Sequence, residues 1–196
     1  MPEISWELLH SQVSRCALCS LCQSATHKVP GQGDIHSPLM LIGEGPGQAE
    51  DEQGLAFVGP AGQLLTRMLS AIGIRREKVY IANIVKCRPP HNRVPSEEEA
   101  LACLPHLRMQ VALLRPRVIV LLGATAARYT LDPEIRITRD RGKWVERKGV
   151  WMMATYHPSA LLRDPAKKSD AWEDMKSLRS RLQELDIYSA LLSSDT

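Results

Sequence analysis

Four short apolar runs recur along this chain, at residues 38–42, 79–85, 118–122 and 150–154, and each stops at a glycine or a polar residue. Runs of that length, rich in Val, Ile, Leu and Met, suit strands buried on both faces. Between them lie stretches with a helical period. Residues 62–72 place Leu64, Leu65, Met68, Leu69 and Ile72 on one face, and residues 96–114 open on Ser96 with Glu99 three positions later, the pattern of a capping box. Shorter helices are expected over residues 4–13 and 124–129, and a charged amphipathic one over 169–185. Strands alternating with helices predict an α/β fold, a three-layer α/β/α sandwich around a mostly parallel four-stranded sheet. Sheets of this kind receive ligands at the carboxyl ends of their strands. No repeat, low-complexity block or linker divides the chain, so residues 1–196 are expected to form a single domain.

The net charge of +3 and the pI near 8.6 are too mild to argue for a polyanionic partner. The distribution is more telling. Arg136, Arg139, Arg141, Lys143, Arg147 and Lys148 fall close together against Asp140 and Glu146, and Arg163, Lys167 and Lys168 form a second cluster. Either group suits phosphates, although a solvated hairpin would look the same. The start of the chain lacks a basic stretch followed by an apolar one, and the longest nearly apolar run, residues 118–127, is too short to cross a bilayer. A cytoplasmic protein without membrane association is the expectation.

Five cysteines in a reducing compartment are either core thiols or metal ligands. Cys16 and Cys19 are spaced to converge on one centre, and Cys87, just beyond a strand, and Cys103, inside a helix, could complete four ligands. Zinc and an iron–sulfur cluster both remain open on spacing alone. Cys22 extends the run and is the expected spare.

Polar groups gather where the strands end. Gly43-Glu44-Gly45-Pro46-Gly47 could be a phosphate-cradling turn, yet Glu50, Asp51 and Glu52 would repel a phosphate there. Phe57, the only phenylalanine, sits in a turn-rich segment where its ring could stack on a planar ligand. Asn83 interrupts an apolar strand with a carboxamide able both to donate and to accept, as an imide edge requires. His157 opens a His-Pro-Ser turn beyond the last strand.

Together these residues resemble the family 4 uracil-DNA glycosylases, the iron–sulfur type of bacteria and archaea. The likeness runs from the Cys16-Cys19 pair to about Arg163. It takes in Lys86-Cys87-Arg88-Pro89-Pro90, Asn92-Arg93 and His157-Pro158-Ser159 as well as the glycine loop and Phe57-Val58-Gly59. The resemblance implies a [4Fe-4S] cluster on Cys16, Cys19, Cys87 and Cys103, and hydrolysis of uracil from DNA. It further implies that Glu44, Gly45 and Pro46 wall the uracil site, that Phe57 stacks on the base, that Asn83 reads its edge and that His157 donates to O2. Glu50 and Asn92 are the expected aids to water and to the sugar cation, with Leu161 and Arg163 as DNA contacts. A related subgroup that cross-links to its substrate has Gln where this chain has Gly45, and an inserted Arg-rich loop that residues 88–93 lack. Turnover is therefore expected, and the chain is separately expected to act as a monomer. The rival reading is a non-catalytic iron–sulfur or zinc DNA-binding module, which would have no need of Glu50, Asn83 and His157.

Overall fold

The computed structural model describes residues 4–192. Six strands, β1 (Gln32–Gly33), β2 (Leu39–Gly43), β3 (Tyr80–Asn83), β4 (Val118–Leu122), β5 (Trp144–Arg147) and β6 (Val150–Thr155), form one sheet in the order β1-β3-β2-β4-β6-β5. The four central strands are parallel, in register at Gly43 with Asn83, Ile42 with Leu121, and Leu122 with Thr155. The anticipated four-stranded parallel sheet is thus present, and it gains an antiparallel strand on either edge. Both additions are short or charged, so neither has the apolar run that marks the centre. β5 and β6 meet in a two-residue hairpin at Lys148 and Gly149, whose φ values of 52° and 79° match the primed turn that such hairpins prefer.

Among the described residues, nine α-helices connect and cover the sheet: α1 (Trp6–Ser14), α2 (Leu21–Ser24), α3 (Gln48–Gln53), α4 (Pro60–Ala71), α5 (Glu97–Leu114), α6 (Ala124–Thr130), α7 (Ile137–Asp140), α8 (Pro158–Arg163) and α9 (Lys168–Glu184). Side chains alternate across the strands and divide the core in two. Leu39, Leu41, Val118 and Val120 pack with Leu65 and Leu69 of α4 and Leu178 and Leu182 of α9. Met40, Ile42, Ile119 and Leu121 pack on the other face with Leu104 and Leu107 of α5 and Ala126 and Ala127 of α6. The result is three layers. Among the described residues no helix is long and apolar enough to cross a membrane.

Two details bear on the site. β3 ends at Asn83 rather than running to residue 85, but the next amides still pair with the neighbouring loop, Ile84 N donating to Gly43 O at 2.9 Å and Val85 N to Glu44 O at 3.1 Å. The capping box at the start of α5 forms as its sequence suggests, with Glu99 N donating to Ser96 Oγ at 3.2 Å and Ser96 N to Glu99 Oε2 at 2.8 Å.

Candidate functional site

The chain passes from β2 to β3 on one side and returns to β4 on the other, so the loops after β2 and β4 diverge. A cleft of about 570 Å³ opens there, at the carboxyl ends of the parallel strands. Glu44, Gly45, Pro46, Glu50, Phe57, Asn83, Asn92 and His157 all line it. Segments far apart in sequence therefore meet in one place.

Asn83 and Phe57 form one wall. The Asn83 side chain is only 1% exposed, and its Oδ1 has no hydrogen-bond partner among the described residues. A buried amide oxygen left in that condition costs free energy that a ligand's N–H would restore. Gly43 makes the arrangement possible, because a Cβ there would stand 2.6 Å from Phe57 Cζ and would also collide with the Asn83 carboxamide. Phe57 itself adopts φ 53°, a left-handed conformation uncommon outside glycine. Its ring lies 5.6 Å from the His157 ring, tilted by 33°.

His157 caps α8. Its Nδ1 accepts from Ser159 N at 3.1 Å and lies 2.8 Å from Ser159 Oγ. A backbone N–H can only donate, so Nδ1 is unprotonated and the neutral ring carries its proton on Nε2. Burial, with the Arg163 charge nearby, pushes the imidazole down to about 4. The ring is therefore neutral at pH 7, with one donor. If that neutral donor serves the reaction, activity is lost only as pH falls through about 4. The group's contribution to stability has the same sign, full above its unfolded pKa of about 6.5 and lost as pH drops towards 4. A rate profile with an acid limb near 6.5 would contradict this.

The acidic residues are held firmly. Glu44 accepts a hydrogen bond from Thr125 Oγ1 in the first turn of α6, a partner that no local sequence pattern announces. Glu50 is buried in the first turn of α3, and its carboxylate accepts from Gly47 N at 3.1 Å and from Val58 N and Gly59 N, both at 2.8 Å. It thus ties the glycine loop to the Phe57 loop, with its oxygens already engaged. Asn92 lies on the exposed rim, where its Oδ1 accepts from Arg88 Nε at 2.7 Å. Both His91 and Asn92 have left-handed backbones, at φ 54° and 55°.

The basic residues separate into two groups. Arg139 and Lys143 pair with Asp140 at 2.7 and 3.0 Å, and Arg141 pairs with Asp174 and Asp170 at 2.5 and 2.9 Å. Half of the basic run is thus neutralised within the fold. Arg128 and Arg163 line the cleft instead. Leu161 does not face outward as expected. It is 2% exposed and packed with Tyr156 and Ala171, whereas Leu162 is 43% exposed.

A second, smaller cavity is lined by Cys16, Cys19, Cys22, Cys87 and Cys103, all of them free thiols. Burial together with Cys103 and Cys19 pushes the Cys87 thiol up to about 12, and Cys103 is raised by burial as well. Among the described residues no three His, Cys, Asp or Glu side chains are grouped tightly enough for a single metal ion.

Glu99 links this centre to the cleft. Its two oxygens accept from Arg93 at 2.7 and 2.8 Å, and Oε1 lies 3.2 Å from Ser20 Oγ, in the loop between Cys19 and Cys22. Arg93 holds that carboxyl down at about 2, well below the usual range.

A profile of the Uracil DNA glycosylase superfamily matches residues 30–176. A Type-4 uracil-DNA glycosylase of Thermotoga maritima is 46% identical over 162 residues, covering 81% of this chain and 83% of its own. One from Pyrobaculum aerophilum is 42% identical over 175 residues, with coverage of 85% and 89%, and a Type-5 enzyme of the same organism is 34% identical over 150 residues, with coverage of 68% and 66%. Family profile and relatives agree, and the chain belongs to the uracil-DNA glycosylase superfamily.

Proposed function

We propose that the chain removes uracil from DNA, as the names of its relatives say of them, by hydrolysing the N-glycosidic bond of a nucleotide turned out of the stack. The observation that carries this reading is the buried, unpartnered Oδ1 of Asn83 in the same cleft as a neutral His157 donor. Phe57 stacks on the base, between walls that include Glu44, Gly45 and Pro46. Asn83 Oδ1 accepts from uracil N3–H while its amide donates to O4. Cytosine offers neither group in that order, and its amino group would face a donor. His157 Nε2–H donates to O2, where negative charge collects as the bond from C1′ to N1 breaks. The engaged carboxylate of Glu50 supplies fixed negative charge beside the developing sugar cation, and Asn92 orients the water whose oxygen bonds to C1′. Arg128 and Arg163 meet the phosphates.

The thiols around the second cavity fit an iron–sulfur cluster, whose irons take cysteine thiolates as ligands. Cys16, Cys19, Cys87 and Cys103 would hold a [4Fe-4S] cluster, leaving Cys22 aside. Bound there, its positive irons would stabilise thiolates that burial alone disfavours. Cys103→Ala should lose the visible absorbance near roughly 400 nm and lower the melting temperature, whereas Cys22→Ala should keep both. Equal losses in the two variants would refute the ligand set.

The deciding experiment incubates the purified, cluster-replete protein with single- and double-stranded oligonucleotides bearing one uracil, followed by alkaline cleavage at abasic sites. Strand cleavage at the uracil supports the reading. Intact strands in both contexts would overturn it.

A further inference from the structure

Lys86 is a buried cation with no assigned task. Its side chain lies inside the protein at 2% exposure, and its Nζ donates to Asn83 O at 2.7 Å and to Gln110 Oε1 at 2.6 Å. Gln110 is fixed in turn, its Nε2 donating to Pro30 O at 2.6 Å and to Tyr80 Oη at 3.0 Å. The backbone N–H of Lys86 points the other way, to Cys103 Sγ at 3.3 Å. No carboxylate pairs with the ammonium among the described residues: its two hydrogen-bond acceptors are neutral, and Cys103 is the ionisable neighbour that favours its charge against burial. An apolar side chain would occupy this interior at lower desolvation cost. The ammonium must therefore serve something other than packing.

What it grips is the main chain of Asn83. Fixing that carbonyl fixes the peptide plane at the end of β3, and with it the direction in which the carboxamide leaves the backbone. We propose that Lys86 is the positioning residue for base reading: it pins Asn83 from behind, and its own N–H ties the same turn, residues 83–86, to the cysteine centre. The inference rests on the uracil-excision reading above. It adds a residue that touches neither the base nor the sugar.

The test is a double-mutant cycle on the cluster-replete protein, measuring single-turnover uracil release for wild type, Lys86→Met, Asn83→Ala and the double variant. Lys86→Met should slow release by roughly tenfold to a hundredfold, the scale of a small misplacement at a reacting centre. Its affinity for DNA carrying an abasic site, which offers Asn83 nothing to read, should not change. In the Asn83→Ala background the same substitution should cost less than about twofold, because the residue through which it acts is already gone. Visible absorbance per chain and melting temperature are recorded for all four proteins. Wild-type rates in folded Lys86→Met, or an equal fractional loss in both backgrounds, would overturn the proposal. Should Lys86→Met not fold, Gln110→Met decides: it keeps the ammonium and removes one of its anchors, and release several-fold slower than wild type is expected. Unchanged release in that variant would also overturn the proposal. Failure of wild type to release uracil would instead remove the functional reading itself.

Discussion

Alanine in place of His157 is expected to slow uracil release by about 10²- to 10³-fold, the usual cost of deleting one donor aimed at developing negative charge. Affinity for uracil-bearing DNA should barely move, because the donor acts most strongly once the glycosidic bond is breaking. The surroundings of the ring suit it to the proposed task. Ser159 occupies Nδ1, burial keeps the imidazole neutral, and the remaining proton stands on Nε2. Ser159→Ala leaves the backbone N–H in place and removes the hydroxyl, so its penalty should be much smaller. Single-turnover rates with binding measured separately will distinguish these outcomes. A loss confined to DNA affinity would assign His157 to binding.

Asn83→Ala should bring a loss of similar size, about 10²-fold or more, by a different route. On the proposed reading the carboxamide matches the imide edge, so its removal would delete the contact that favours uracil over cytosine. The substitution also removes a buried acceptor that has no partner among the described residues. The variant should therefore melt no lower than the wild type, or only slightly lower, while losing most of its activity. Such an inverse relation is expected of a group held in an unfavourable state for function. A large fall in melting temperature with modest loss of activity would mark Asn83 as structural.

The central sheet was legible because strands buried on both faces must be apolar throughout, as residues 118–122 are. Its edges were not. Gln32 and Gly33 pair with β3 for two residues inside a polar loop, and β5 is built from Trp144 to Arg147 within the basic run. Helices α3 and α8 span six residues each, too few for a period to show. In the cleft, Asn83 and His157 could be singled out because a polar group at or beyond the end of an apolar strand is conspicuous, and Phe57 because it is the one phenylalanine and stands in a turn-rich segment. Their supports could not. Thr125 reaches Glu44 across 81 residues, and Glu50 is held by backbone amides, which every residue type carries. Leu161, expected to contact DNA, is buried instead, since the phase of a six-residue helix cannot be read without knowing which side it packs.

The carboxylate of Glu99 closes the first turn of the helix that bears Cys103, clasps Arg93 beside the cleft and reaches Ser20 among the cysteines. Oxidative injury to the thiols would therefore spread: the rim of the cleft should loosen although no reacting group had been touched. Faster amide exchange across residues 88–94 after such damage would reveal it, and unchanged exchange would show the two regions to be independent.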